Sequence, residues 1–421
     1  MLKNRRIEQV AFLLDTFRWL FFALLIGVLA GSASAFFLIA LQWVSDFREN
    51  HLWVIALLPL GGFVIGWLYY RYGQDVARGN NQIIDEFHQP RRIIPFKMAP
   101  LVLFGTLVTH LFGGSAGREG TAVQMGAAIA DQFTRIFSLK PRHRRILLVM
   151  GISAGFSSVF GTPLAGAVFA LEVLILGRMR YEAILPAFFA ATVGNYTCHL
   201  WQVAHTHYAV SLVPEMNPTN FLWTILAGIC FGLTALFFSK MSHFWQELFR
   251  NYIHYPPLRP VVGGVIIALL VGAFGTTKYI GLGIPTIVAA FSNTLPAYDF
   301  LIKTIATTFT LGAGFKGGEV TPLFFVGATL GNALAQWMPL PMALLAGMGF
   351  VGVFAGATNT PIACTLMGIE LFGAESGLYI GLACVVSYIF SGHTGIYSSQ
   401  IVGSAKHMVY LRKKSRRLEE L

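Results

Sequence analysis

The stretch FGTPLAGAVFALE, Phe160 to Glu172, recurs as TNTPIACTLMGIE, Thr358 to Glu370, with a proline and a glutamate nine residues apart in both. Upstream, GREGT (117–121) is echoed by GGEVT (317–321), and Gly79 in ARGNNQ by Gly283 in GLGIPT. A shared offset of about 200 residues makes the chain two copies of one plan. The seam falls in the polar stretch HTHYAVSLVPEMNPTN, residues 205–220.

Composition says what kind of plan is repeated. Of 421 residues, 55% are hydrophobic and 12% charged, and the mean hydropathy is +0.63. Soluble domains carry about 25% charged residues, so this is a polytopic membrane protein. Apolar runs long enough to span a hydrocarbon core include Trp19–Val44, Leu52–Tyr70, Phe221–Ser239, Val261–Thr277 and Met342–Ala357. They lack period-2 alternation, which predicts helices and excludes a β-barrel. The triplet Ala33-Ser34-Ala35 resembles a signal cleavage site, but the apolar run continues to Val44, longer than a signal core, and reads as a retained membrane helix.

Other apolar segments are short and broken by glycine, with 44 Gly and 18 Pro in all. Membranes tolerate broken helices where the freed backbone lines a protein-enclosed cavity, and in repeated transporters the halves often run in opposite directions with the solute site between them. The expectation is an all-α fold of two inverted repeats, about nine helical segments per half, many of them tilted or partial. Its parts are an N-terminal segment (1–18), a first repeat (19–205), a linker (206–220), a second repeat (221–404) and a basic tail (405–421).

The net charge of +11 is clustered at Lys3, Arg5, Arg6 and Arg18, in the stretch Arg71–Arg92, in RIFSLKPRHRR (135–145), and in the tail Lys406–Arg417. Short basic loops stay cytoplasmic, which predicts both termini inside and a location in the cell (inner) membrane. Nucleic-acid binding is set aside, because nothing soluble remains to carry it. Cys198, Cys230, Cys364 and Cys384 lack metal or disulfide spacing and read as small hydrophobes, and His205 with His207 reads as a loop. HExxH does not occur and the histidines are scattered, so an enzyme is not expected, nor a metal or cofactor.

Six charges lie inside apolar sequence: Arg118, Glu119, Glu172, Lys316, Glu319 and Glu370. An ionised group at the bilayer centre costs at least about 2.5–3.5 kcal/mol, so such residues face a pathway or a partner. Glu172 and Glu370, matched across the repeat, read as helix-end carboxylates stabilised by a dipole or a neighbour. Glu119 differs. It follows GGSAG and opens a helix, where free backbone N–H groups hold either a carboxylate or a solution anion, and the flanking Gly117 and Gly120 allow close approach. GAGFKGGEVTPLFF (312–325) repeats the design with Glu319, a Thr321 hydroxyl donor, Lys316 as possible countercharge, and Pro322 near the helix start. Tyr397, in HTGIYSSQI, reads by itself as an interfacial aromatic whose phenol can also donate to an anion. Phe324 and Phe325 are candidates, by position alone, for ring edges along a path, though phenylalanine at helical spacing is ordinarily core or lipid-facing.

Together, the GREG turn, GGEVTP, SGHTGIYSS and FGTPLAGAVFALE resemble the CLC family of chloride channels and proton-coupled anion antiporters, over about residues 20–410. The resemblance implies a homodimer with one anion pathway per subunit and helix N-termini aimed at the ion. It also implies that Glu119 is the gating glutamate, that Gly79 and Asn80 lie on the inner anion site, and that Tyr397 coordinates the anion. Where chloride-type members usually read GSGIP, GKEGP or GREGP, and GxFxP, this chain has Gly79-Asn80-Asn81-Gln82, Gly117-Arg118-Glu119-Gly120-Thr121 and Gly318-Glu319-Val320-Thr321-Pro322. That set looks like the bacterial fluoride-exporting branch, which couples fluoride efflux to proton entry. Val173 also stands where chloride/proton antiporters carry a second proton-transfer glutamate. The physical argument agrees: fluoride needs compact strong donors, which Asn80, Thr321 and backbone N–H groups supply. Glu319 is expected to be protonated during the cycle and to help the proton through. The predicted activity is fluoride/proton antiport across the lipid bilayer, with a chloride channel or chloride/proton antiporter as the alternative.

Overall fold

The computed structural model describes residues 2–407 and 416–420, so residues 408–415 of the expected basic tail lie outside the described residues, as do the side chains of Lys3, Arg5 and Arg6. Before the seam run α1 (Leu2–Asn50), α2 (Leu58–Tyr72), α3 (Asn80–His88), α4 (Met98–Leu111), α5 (Glu119–Ile136), α6 (Pro141–Phe160), α7 (Pro163–Glu172) and α8 (Ile184–Leu200). After it run α9 (Pro218–Tyr252), α10 (Leu258–Phe274), α11 (Ile284–Ala289), α12 (Asp299–Gly312), α13 (Val320–Leu334), α14 (Met342–Thr358), α15 (Pro361–Phe372) and α16 (Gly377–Phe390). Residues 203–217 between them have no regular structure. Each half carries eight α-helices among the described residues, with short 3-10 segments beside them. Leu52–Leu57 and Ala374–Ser376 are tight 3-10 turns that run straight into α2 and α16 and form no separate helices.

The two halves match element by element. Each opens on its longest helix, α1 with 49 residues and α9 with 35. α1 continues unbroken through Ala33-Ser34-Ala35. In both halves a proline at the first helical position starts the short helix, Pro163 in α7 and Pro361 in α15, where its missing N–H costs nothing. The helix before it ends on a left-handed residue in both, Gly161 after α6 and Asn359 after α14. Three segments, Phe12–Asn50, Leu52–Tyr72 and Pro218–Tyr252, are long and apolar enough to cross a membrane, and seven shorter apolar helices accompany them. Partial helices therefore form much of the membrane body, as their glycine breaks predict.

Packing follows the repeat too. α5 lies on α6, and α13 on α14, through glycines: a Cβ at Gly126 would sit 2.2 Å from the Gly151 carbonyl oxygen, and one at Gly327 only 2.0 Å from that of Gly349. In lipid, helices associate by close packing, and small residues permit it. α7 meets α15 across the seam, and this contact explains Glu172 and Glu370. Each carboxylate lies in the last turn of its own helix and caps the other. Glu172 accepts from the backbone N–H groups of Ile362 (3.2 Å) and Ala363 (2.9 Å), and Glu370 from those of Leu164 (2.9 Å) and Ala165 (2.8 Å). Helix-end carboxylates are what the sequence led us to expect, but they serve the N-terminus of the opposite repeat.

The basic stretch 135–145 contains only a short turn, because α5 persists to Ile136 and Pro141 starts α6. Arg144 is buried there and bonded to Asp131 (2.7 Å), Glu86 (3.0 Å) and the Arg92 carbonyl (2.6 Å). Two short parallel strands, β1 (Ile175–Leu176) and β2 (Ile401–Val402), tie the segment after α7 to the one after Tyr397.

Candidate functional site

The loops before α5 and α13 meet at the centre of the molecule. Gly117 and Gly318 form an antiparallel backbone pair, with N–H to carbonyl distances of 2.6 and 2.8 Å. Neither glycine has room for a side chain. A Cβ on Gly117 would lie 2.9 Å from Pro322 and 3.1 Å from Glu119 Oε2, and one on Gly318 would lie 2.7 Å from the Gly120 nitrogen. The glycine content of both motifs is thus what lets two helix starts approach each other.

Glu119 sits at that junction with no solvent exposure. Its Oε1 accepts from the Thr321 hydroxyl at 2.5 Å, and its Oε2 from the backbone N–H groups of Thr321 (3.0 Å) and Arg118 (3.2 Å). The carboxylate of one repeat therefore occupies the N-terminus of α13 in the other, a seat of converging donors that suits any small anion. Arg118 Nε lies 3.4 Å from Glu119 Oε1 as an ion pair without hydrogen-bond alignment. This gives Arg118 the partner role that the sequence left open.

The structure brings Gly79, Asn80, Gly120 and Glu319 to the same junction. Gly79 starts α3 at φ +55, a conformation that favours glycine, and Gly283 occupies the matching position at the start of α11 with φ +74. A Cβ on Gly120 would meet Asn80 Nδ2 at 3.0 Å and Glu319 Oε2 at 3.9 Å, so amide and carboxylate converge on one glycine. Asn80 Oδ1 is buried without a hydrogen-bond partner. Lys316 acts on Glu319 electrostatically, but its ammonium lies 4.1 Å from the centre of the Tyr69 ring. Tyr397 is buried within electrostatic range of both Glu319 and Glu119.

Thr121 points elsewhere. Its hydroxyl bonds to that of Thr106 on α4 (2.7 Å), and Thr106 in turn donates to the Val102 carbonyl. At the start of α5, only its backbone N–H remains available to the junction. Phe324 stacks on Phe350 at 4.0 Å and meets Phe160 edge-on at 5.1 Å, while Phe325 lies beneath the Lys303 ammonium at 5.2 Å. His205 bonds to the Ser158 carbonyl at 2.9 Å. Sequence reasoning passed over Asn81 and Ser399, which bond to each other beside the junction. The doubled asparagine after Gly79 was the available signal.

Comparison with known proteins agrees with this architecture. The chain is 52% identical over 413 residues, 97% of its length and 91% of the other's, to a chloride/fluoride channel protein of Pseudomonas syringae pv. tomato. The solved structure of a CLC-type fluoride/proton antiporter superposes with a TM-score of 0.89 at 35% identity, covering 91% of this chain and 98% of the other. A slow cyanobacterial Cl-/H+ antiporter shares the fold at a TM-score of 0.76 and 20% identity, covering 89% and 94% of the two chains. The family described as voltage gated chloride channel matches residues 61–392. With its repeated glycine-rich helix starts, its membrane-spanning helices and these matches, the chain belongs to the CLC family of voltage gated chloride channels and transporters.

Proposed function

We propose that this protein exports fluoride from the cytoplasm in exchange for protons, with Glu119 as the gate. The observation that carries the reading is the seat of Glu119: a carboxylate held by the Thr321 hydroxyl and N–H at the start of α13. The same donors serve a fluoride ion when the carboxylate leaves, and protonation is what lets it leave, since a neutral acid loses most of its attraction to a helix N-terminus. Compact, strong donors favour fluoride over the larger, more weakly hydrated chloride. The 52% and 35% identical relatives, one a chloride/fluoride channel protein and one a CLC-type fluoride/proton antiporter, point the same way.

In this reading Gly79, Asn80 and Tyr397 form the inner anion site. Gly117 and Gly120 admit the ion close to backbone, Thr321 donates through hydroxyl and N–H, and Thr121 contributes its N–H. Glu319 passes the proton, because an ionised carboxylate beside the path would repel the anion that a protonated one tolerates. Phe324 and Phe325 offer ring edges to the path. The molecule works as a homodimer in the inner membrane with both termini and the basic 135–145 turn in the cytoplasm. The repeats run from 19 to 205 and from 221 to 404, joined by 206–220.

Anion efflux from proteoliposomes under an imposed pH gradient tests this. Fluoride should exceed chloride by about tenfold or more, the margin expected from differential donor strength of about 1.4 kcal/mol, and Glu119→Gln should abolish the response to the gradient. Equal chloride flux would sink the fluoride assignment, and indifference of the wild type to the gradient would sink antiport.

A further inference from the structure

Ser399, two residues after Tyr397, is gripped from both sides of the Gly79-Asn80 pair. Its backbone N–H donates to Asn81 Oδ1 at 3.1 Å, and its hydroxyl accepts from Arg78 Nη2 at 3.2 Å. Residues 78 and 81 bracket the start of α3, so one residue of the Tyr397 segment is fastened to both flanks of the pair. The next residue extends the attachment. Gln400 Nε2 donates to the carbonyls of Val173 (2.7 Å) and Thr358 (2.9 Å), at the ends of α7 and α14.

A second layer closes over this joint from the end of the chain. The N–H of Leu418 donates to Gln400 O (3.0 Å), that of Glu419 to Ser398 O (3.1 Å), and that of Val402 to Arg416 O (3.0 Å). Arg417 lies 3.1 Å from Asp85 Oδ1 on α3, an ion pair without hydrogen-bond alignment, and Glu419 lies 3.8 Å from Arg78. Arg78 is held in addition by Asp85 at 2.6 Å. These outer pairs are partly exposed, with side-chain exposures of 54% for Arg78 and 38% for Glu419, so they are weak and screened by salt. The inner bonds from Ser399 hold the joint, and the outer layer adjusts it.

Resting on the inner anion site proposed above, we infer that Asn81 is a positioning residue: it clamps the Tyr397 segment to the start of α3, so that Asn80 and Tyr397 move as one body, with residues 416–420 as the latch. Neither Asn81 nor Ser399 needs to touch the anion for this. A joint between the two sides of a site sets how well the anion is held there, and in an exchanger it also sets whether the anion can slip through without its proton.

The test uses the full chain in proteoliposomes with the anion presented at the cytoplasmic face. Asn81→Ala should raise KM by about tenfold with a smaller change in turnover and should lower the number of protons moved per anion, a split that general destabilisation does not produce. Asn81→Gln keeps a neutral amide acceptor without adding charge beside the anion site and should recover at least part of both. Arg417→Ala should shift KM in the same direction by about threefold, and more at low salt than at high. Wild-type KM and coupling in Asn81→Ala, or an Asn81→Gln variant as impaired as the alanine, would overturn the clamp. An unchanged Arg417→Ala would overturn the latch. Should Asn81→Ala fail to fold, Asn81→Cys with Ser399→Cys replaces it. Joined by oxidation, that pair should transport within about twofold of wild type, because the two segments already move together, and loss of transport reversed by reductant would overturn the proposal. Fluoride preference is read from the unmodified protein alone, so failure of the functional reading and failure of the clamp appear in different measurements.

Discussion

At the scale of single residues, the seat of Glu119 depends on one side chain from the other half of the molecule. Thr321 supplies two of the donors to the carboxylate, and its hydroxyl contact of 2.5 Å is the shortest of the three. A hydrogen bond to a charged group contributes about 1.5–3 kcal/mol. In the proposed cycle the same donor serves whichever anion occupies the seat, so Thr321→Val should cut fluoride turnover by about tenfold or more, while Thr321→Ser stays within about threefold, measured as initial efflux at saturating fluoride. The sequence showed Glu119 and Thr321 as members of two echoing motifs. It could not show that they touch, because 202 positions separate them and only the crossing of two loops brings them together. Thr121 teaches the opposite lesson. It looked equivalent to Thr321 by motif position, yet helix geometry turns its hydroxyl toward Thr106.

At the scale of elements, α7 and α15 hold the two repeats together through exchanged caps. A glutamate at a C-terminus opposes its own helix dipole, and burial adds a desolvation cost, so each carboxylate is stable only while the other helix offers its N–H groups. Glu172→Ala should lower stability by about 1–3 kcal/mol, seen as a fall in the thermal unfolding midpoint in detergent, with proton coupling intact in the folded fraction. Glu172→Gln should be milder, since one amide oxygen still accepts. A coupling loss in Glu172→Ala out of proportion to its stability would show that the residue handles protons and is more than a cap. Periodicity and the proline starts made these helices legible in the sequence. Their pairing was not legible, because capping across a repeat leaves no trace in local pattern.

At the scale of the whole molecule, a buried arginine pins three segments at the basic end. Arg144 joins α5 through Asp131, α3 through Glu86 and the following loop through the Arg92 carbonyl. Removing one partner of a buried ion pair leaves the others uncompensated, at a cost of about 3–5 kcal/mol. Arg144→Ala should therefore lose most folded protein on size-exclusion chromatography, and Arg145→Ala, whose partners are the carbonyls of Phe87 and His88, should lose less. Composition placed Arg144 in a basic loop, but the fold buries it, because α6 begins at Pro141 and carries it inward. By itself the sequence determined that the chain is a helical membrane protein, that its plan is repeated, and that Arg118, Glu119, Lys316 and Glu319 lie at glycine-rich helix starts. These follow from hydropathy, period and backbone chemistry, which act locally along the chain. Only the tertiary structure decided which donors meet which carboxylates, since helix N-termini brought together from distant positions create a field that no single segment contains.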